Sequence, residues 1–385
     1  MKSFDVPADP AFWQDPAPFY QAPLAAGGGL FAISSGGYSV VGYNALYELG
    51  RDPRVEGHPF PEAGFGPELT DLYDLMRFGL FALGAPDHKP LRQAAIAGLS
   101  TVKADAIRHE ATTIAETLAG DLKRNGGGDL IADFARPLAS QIFCHMTGLD
   151  RRLAGEVAEA VEAIMSQLNG EPDKQNAAND AAKWLMARLT EGFATGQSPL
   201  MSAMAQQLEE EDSANAVQLT GSFIVDAVDM VVSGLFATLD FLIRHDAAIA
   251  ALQRGDNAIK DVVQEAYRIT TPATLTSRVA REDIVWRGQK IAKDSALIMW
   301  WGTGNLDPQA FENPLLFKPD RENKRHLAFG VGGHACIGRL IASVVTEVSV
   351  TALLINPDRQ FRSVGEVAFL PRLARIAQSA PIALL

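Results

Sequence analysis

Phe329-Gly330-Val331-Gly332-Gly333-His334-Ala335-Cys336-Ile337-Gly338 sets one of the chain's two cysteines in a glycine-rich turn. Directly behind it, Arg339 to Leu354 is an apolar segment that reads as a helix. A thiolate at that point lies near a helix N-terminus, where free backbone N–H groups and the positive dipole end lower its pKa. Glycines let the backbone pass close to a large flat partner that side chains would block. A polarised thiolate in a glycine cradle is what a haem iron requires as proximal ligand. Zinc fits poorly, because His326, His334 and Cys336 offer no Cys-x-x-Cys pair and too few thiolates for a closed site.

The stretch resembles the haem-binding loop of the cytochromes P-450, the haem-thiolate monooxygenases, which reads Phe-x-x-Gly-x-x-x-Cys-x-Gly. Phe329, Gly332, Cys336 and Gly338 match every fixed position, and Gly330 lies in the same turn. The resemblance implies haem b with Cys336 as axial iron ligand. It also implies a mainly α fold with small β-sheets, a single haem-binding domain over residues 1–385, and a long central helix over the haem.

The 385 residues are enough to bury a large core and a cofactor, and no linker or internal repeat divides them. Gly27-Gly28-Gly29 is a turn-sized break, Asn169 to Asp173 a loop, and Glu209 to Asp212 a short acidic loop. A net charge of -12 argues against a nucleic-acid partner. With one cysteine given to iron and Cys144 in the apolar run Ile142-Phe143-Cys144, no disulfide framework is left, as suits a reducing cytoplasm. Asp5 to Pro16 shows no basic start followed by an apolar run. Neither a signal peptide nor a membrane anchor is expected there, and the reading is a cytoplasmic, monomeric protein of the bacterial type.

Helical periodicity dominates, over about 92–124, 129–147, 152–169 and 176–195. A hairpin is predicted around Ser34 to Gly37, and short strands around Gly288. Ile224 to Ile243 is apolar on nearly every face apart from Asp226, Asp229 and Asp240, so it belongs in the middle of the protein.

Glu265 and Arg268, spaced i and i+3 on an amphipathic segment, share a face and can pair. They match the family's Glu-x-x-Arg, which implies Arg321 as third member of a structural lock behind the cysteine loop. Haem propionates call for cations or strong donors. The resemblance assigns these to His88 and Arg92, one turn apart, and to Arg278, His326 and His334.

The central helix departs from the family's Ala/Gly-Gly-x-Asp/Glu-Thr-Thr. Here it reads Ser233-Gly234-Leu235-Phe236-Ala237-Thr238, with Phe236 for the acid and Ala237 for the key threonine. Gly234 keeps the small residue expected to leave room over iron. Thr238 lies one residue on, turned by about 100°. Ser233, a turn before Ala237, is a candidate water anchor. Oxygen activation needs protons delivered to the distal oxygen, and Phe236 and Ala237 cannot deliver them. Either ordered water or a substrate hydroxyl supplies the relay, or hydrogen peroxide replaces O2, or the haem binds ligands without oxygenating.

By correspondence the substrate pocket draws on Met76, Leu80, Asp229, Met230, Thr274 and Leu275, lined mostly by apolar groups and suited to a small hydrophobic molecule. Asp229 would meet a cationic or hydroxylated group, or cap an internal network. Only about thirty residues follow the cysteine helix, so no fused flavin or nicotinamide domain is expected behind it. The resemblance implies electrons from NAD(P)H through a separate ferredoxin and ferredoxin reductase, with Arg339 a plausible docking cation.

Overall fold

A computed structural model of the protein describes residues 2–58, 65–171, 173–208, 214–255, 258–356, 360–371 and 375–385. The acidic stretch Glu209 to Asp212 and Pro172 of the expected loop lie outside the described residues. Among the described residues helices predominate, accompanied by four small sheets. The chain forms two compact units, Met1–His58 with Leu122–Ile131 and Ser233–Leu385, and Pro59–Asp121 with Ala132–Val232.

The first unit holds the strands. A hairpin of Gly29–Ala32 and Tyr38–Val41 forms where the alternating apolar runs predicted it. Its second strand pairs in parallel with Ala296–Met299, which pairs antiparallel with Thr276–Ala280, and Val55–Glu56 closes the edge. Leu46, Leu49, Leu297, Met299 and Trp301 form the core against this sheet. Each such side chain contributes roughly 1.5–3 kcal/mol by leaving water. Ile284–Trp286 and Gln289–Ile291 pair across a turn at Arg287 and Gly288, both at positive φ. Ala368–Pro371 and Arg375–Ser379 make a C-terminal hairpin, and Pro381–Leu384 lies between Gly127–Asp129 and Phe361–Ser363. Helices Ile259–Thr270 and Arg339–Val350 pack on one another in this unit.

The second unit is helical. His88–Ser100 packs on Pro199–Leu208, and Gln175–Ala194 packs on both Thr70–Met76 and Ala154–Leu168. Asn179 joins two of these elements, accepting from the Leu72 N–H at 3.1 Å and donating to Asp71 at 3.0 Å.

Two expectations need correction. The single segment 92–124 is two helices, His88–Ser100 and Ala104–Arg124. At the break the hydroxyls of Ser100 and Thr101 bond back to the carbonyls of Ala97 and Gly98, both at 2.7 Å, in competition with the helical pattern. The segment 129–147 opens with a wider π-helical stretch, Leu130–Ala135, before the α-helix Arg136–Thr147.

The central helix spans Ala214–Ile243, 30 residues. It is long and apolar enough to cross a membrane, yet 78% of its most apolar window is buried inside the protein. It is a core helix, as its all-round apolarity predicted.

Candidate active site

The cysteine loop is shaped by close backbone approaches. Gly330 and Gly332 have φ of +64° and +72°, a region that favours glycine. At Gly332 no other residue fits, since a Cβ would stand 2.1 Å from the carbonyl oxygen of Gly50. The Cys336 N–H donates to the carbonyl of Phe329 at 2.9 Å and closes the loop. The helix begins at Arg339, and its first turn is secured by Ala342 N–H donating to Gly338 at 3.0 Å. Cys336 is exposed, with Sγ 3.9 Å from where a Cβ on Gly338 would sit. The thiol thus lies beside the residue that caps this helix, where N–H groups free of intrahelical partners favour thiolate. Cys144 is the opposite case, its thiol pushed up to about 12 by burial, with Asp150 and Glu156 adding to the shift.

Helix Ile259–Thr270 presents two working stripes. On the first, Glu265 accepts from Arg268 Nε and Nη2, both at 2.8 Å, and from Arg321 Nε at 2.7 Å. It also accepts from the Lys318 N–H at 3.0 Å. Arg268 reaches the Asn305 carbonyl at 2.7 Å, and Arg321 bonds the carbonyls of Glu312, Asn313 and Leu316. All three charged residues are buried. Asn305 Oδ1 in turn accepts from the Leu327 N–H at 2.6 Å, two residues before Phe329. The three residues named from sequence therefore come together and tie the approach to the cysteine loop.

The second stripe, Gln264 and Tyr267, faces the cysteine helix and has no sequence motif. Gln264 donates to Ser343 Oγ at 3.1 Å, and its Oε1 lies 3.1 Å from His326 Nε2 and 3.2 Å from Arg339 Nη2. The Tyr267 hydroxyl lies 2.7 Å from Thr346 Oγ1 and 3.4 Å from the Ala342 carbonyl. Its ring stands edge-on to Phe329, centroids 5.1 Å apart. Burial raises its phenol pKa well above the ordinary value against the opposing Thr346 bond, and the negative charge at Cys336 adds to the rise, so the hydroxyl stays protonated.

His326 departs from expectation. Its Nδ1 accepts from the Ala328 N–H at 3.2 Å and its Nε2 is engaged by Gln264, so both ring nitrogens are committed within the protein. Burial, then the charges of Arg339 and Arg268, bring its pKa down to about 3, leaving a neutral ring. It holds the chain ahead of the loop as a neutral ring and not as a cation. Arg278 remains a fitting one. It is buried in Thr276–Ala280 and donates to the Ser277 carbonyl at 2.7 Å. Burial lowers its pKa to about 10, still charged at neutral pH, and a carboxylate brought alongside would stabilise it. His334 is half-buried in the turn Gly332–His334, while His88 and Arg92 lie half-buried on the first turns of helix His88–Ser100 in the second unit.

On the central helix, the space left by the missing side chain of Gly234 is filled by Tyr267, whose Cε1 and hydroxyl would lie 3.2 Å from a Cβ there. The glycine makes room for that ring. Ser233 donates to the Arg375 carbonyl at 3.1 Å, so its hydroxyl ties the helix to the C-terminal hairpin. Phe236 is buried against Phe369 of the same hairpin, centroids 5.6 Å apart, and Ala237 is buried beside it. Thr238 is fully buried, and its hydroxyl has no hydrogen-bond partner among the described residues. Of the residues expected to line a pocket, Thr274 and Leu275 are buried in the first unit, and Thr274 bonds its own turn at Thr271 O, 3.2 Å away. Met76 and Asp229 are buried and Leu80 and Met230 half-buried in the second. Burial raises the carboxyl pKa of Asp226, one turn from Asp229, and the Asp229 charge adds to that.

An exposed cysteine beside a helix start, a glycine cradle and a buried arginine form a donor set that fits haem. Residues 150–363 match the family model for cytochrome P-450, and the chain belongs to that family. It is accordingly a haem-thiolate iron protein and an oxidoreductase of the P-450 monooxygenase class. It is 25% identical to 6-deoxyerythronolide B hydroxylase of Saccharopolyspora erythraea over 317 residues, covering 79% of this chain and 77% of the relative. It is 27% identical to 20-oxo-5-O-mycaminosyltylactone 23-monooxygenase of Streptomyces fradiae, over 79% of this chain and 72% of that one. Its fold matches cytochrome P-450 BioI, crystallised in complex with an acyl carrier protein ligated to hexadec-9Z-enoic acid. The TM-score is 0.88 at 22% identity, covering 98% of this chain and 100% of the other.

Proposed function

We propose that the chain holds haem b through Cys336 and inserts one oxygen atom from O2 into a hydrophobic organic substrate. Electrons come from NAD(P)H through a ferredoxin and its reductase in the cytoplasm. The observation that carries this reading is the contrast between its two cysteines. Cys336 is exposed beside a helix start, and Cys144 is buried with its thiol held protonated.

When bound, the haem supplies the oxygen-activating and atom-transfer chemistry. Cys336 supplies the thiolate, Gly338 leaves the space beside the sulfur free of a side chain, and Gly332 lets the loop pass close to Gly50. Arg278 and His334 of the first unit supply charge or a donor for the propionates. Glu265, Arg268 and Arg321 hold the backbone that leads into the loop. Phe236 and Ala237 offer no proton-carrying group, and the Ser233 hydroxyl is committed to Arg375. Proton delivery therefore falls to ordered water or to a hydroxyl of the substrate.

The substrate class is supported from two sides. Phe236 and Leu275 of the first unit are apolar and buried, which favours recognition by shape. The named substrates of the two relatives are lactone-type products, and the BioI complex carries a long acyl chain, so a lipophilic lactone or acyl intermediate is the first class to screen.

A ligand that drives the haem toward high spin should be turned over with isotopically labelled O2 in the presence of ferredoxin, reductase and NAD(P)H. Label in the product supports the reading. Product formed only with hydrogen peroxide would replace it with a peroxygenase, and no product under either oxidant would replace it with a non-oxygenating haem protein.

A further inference from the structure

The Glu265 stripe of helix Ile259–Thr270 answers to a motif, but the Tyr267 stripe answers to none. Tyr267 is buried and touches three parts of the first unit at once. Its ring fills the gap left by Gly234 on the central helix, stands edge-on to Phe329 at the head of the cysteine loop, and carries a hydroxyl that reaches the cysteine helix. The two groups its hydroxyl meets, Thr346 Oγ1 and Ala342 O, lie one turn apart on that helix. Ala342 is also the residue whose N–H closes the first helical turn onto Gly338, next to Cys336 Sγ. Arg339 also covers the Phe329 ring face at 5.3 Å and is itself held by Gln264.

We propose that Tyr267 is a positioning residue for the Cys336 thiolate, acting through Thr346 and Ala342 to fix the helix start beside the sulfur and through Phe329 to fix the loop. The inference rests on Cys336 being the haem ligand. N–H groups at a helix start withdraw electron density from a thiolate in proportion to how well they are held. Tyr267→Phe keeps the wedge and removes the hydroxyl, leaving Thr346 buried without its partner. The first turn then loosens, the sulfur donates more strongly to iron, and the ferric state gains over the ferrous.

The test measures the haem reduction equilibrium of the full-length holoprotein, by spectroelectrochemical titration, in wild type, Tyr267→Phe, Thr346→Val and the double variant. Each single change should lower the equilibrium constant for reduction by about three- to tenfold, the worth of one buried hydrogen bond. The double variant should add little beyond either single change, because both remove the same bond. A thiolate-type carbon monoxide spectrum with an unchanged reduction equilibrium in both single variants would overturn the inference and leave the haem-thiolate reading standing. Equal shifts that add fully in the double variant would also overturn it, since the two hydroxyls would then act separately. A wild-type protein lacking the thiolate-type spectrum would overturn the parent reading, and this inference with it.

Discussion

Oε1 of Glu265 receives Arg321 Nε at 2.7 Å across 56 residues of sequence, with both side chains buried. Arg268 completes the lock from one turn away. A carboxylate between two guanidiniums out of water is stabilised only while every partner is present. Glu265→Gln keeps the shape and removes the charge, leaving two buried cations facing a neutral amide. The expected loss is about 3–5 kcal/mol of stability in denaturant unfolding, together with loss of bound haem. An unfolding curve that matches wild type would mean the triad is incidental to the fold.

The two cysteines should be chemically distinct in the haem-free protein. Cys336 is exposed near a helix start, whereas the Cys144 thiol, pushed up to about 12, is buried. Alkylation near neutral pH, followed by peptide mass mapping, should label Cys336 quickly. Cys144 should be labelled only after denaturation. Equal labelling of both in the folded protein would contradict the burial argument.

His326 makes a pH-dependent contribution whose sign follows from its neutral, buried ring. Its folded pKa, about 3, lies below the ordinary 6.5. Between those values the unfolded chain binds the extra proton, so stability is fully present above 6.5 and falls as pH drops toward 3. The slope approaches about 1.4 kcal/mol per pH unit within the window. His326→Asn, which keeps an acceptor for the Ala328 N–H, should flatten unfolding free energy against pH below 6.5. An unaltered slope would assign the acid sensitivity to other groups.

Ala237→Thr restores the hydroxyl that the family's pattern places on the central helix. With protons delivered by water or by the substrate, the yield of product per NAD(P)H consumed should stay within about twofold of wild type. The added atoms in a buried site should cost about 1–3 kcal/mol in stability. A large rise in coupling would show that the missing threonine limits turnover.

The parts of the site that could be read in advance are those whose chemistry leaves few substitutes. Cys336 in its glycine turn and the Glu265–Arg268 pair are local patterns at fixed spacing, and Arg321 followed from the resemblance they carry. Tyr267 could not be read that way. A tyrosine on an amphipathic helix suits a core or a surface, and its partner Thr346 is 79 residues away. The role of Ser233 depends equally on a carbonyl 142 residues on, at Arg375. His326 misled because a histidine beside a haem motif suggests a cation, and only its burial and two engaged nitrogens show otherwise. The hairpin at Ser34 to Gly37 and the central helix were legible because glycine turns and unbroken apolarity have direct backbone consequences. The helix break after Ser100 was not, since Thr101-Val102-Lys103 contains neither glycine nor proline.

The central claim is that Cys336 is the thiolate ligand of haem, and the reduced carbon monoxide complex reports it directly. Wild-type and Cys144→Ser proteins should both give the thiolate-type absorption band, and Cys336→Ser should lose it. A thiolate band that survives in Cys336→Ser, or disappears in Cys144→Ser, would contradict the assignment.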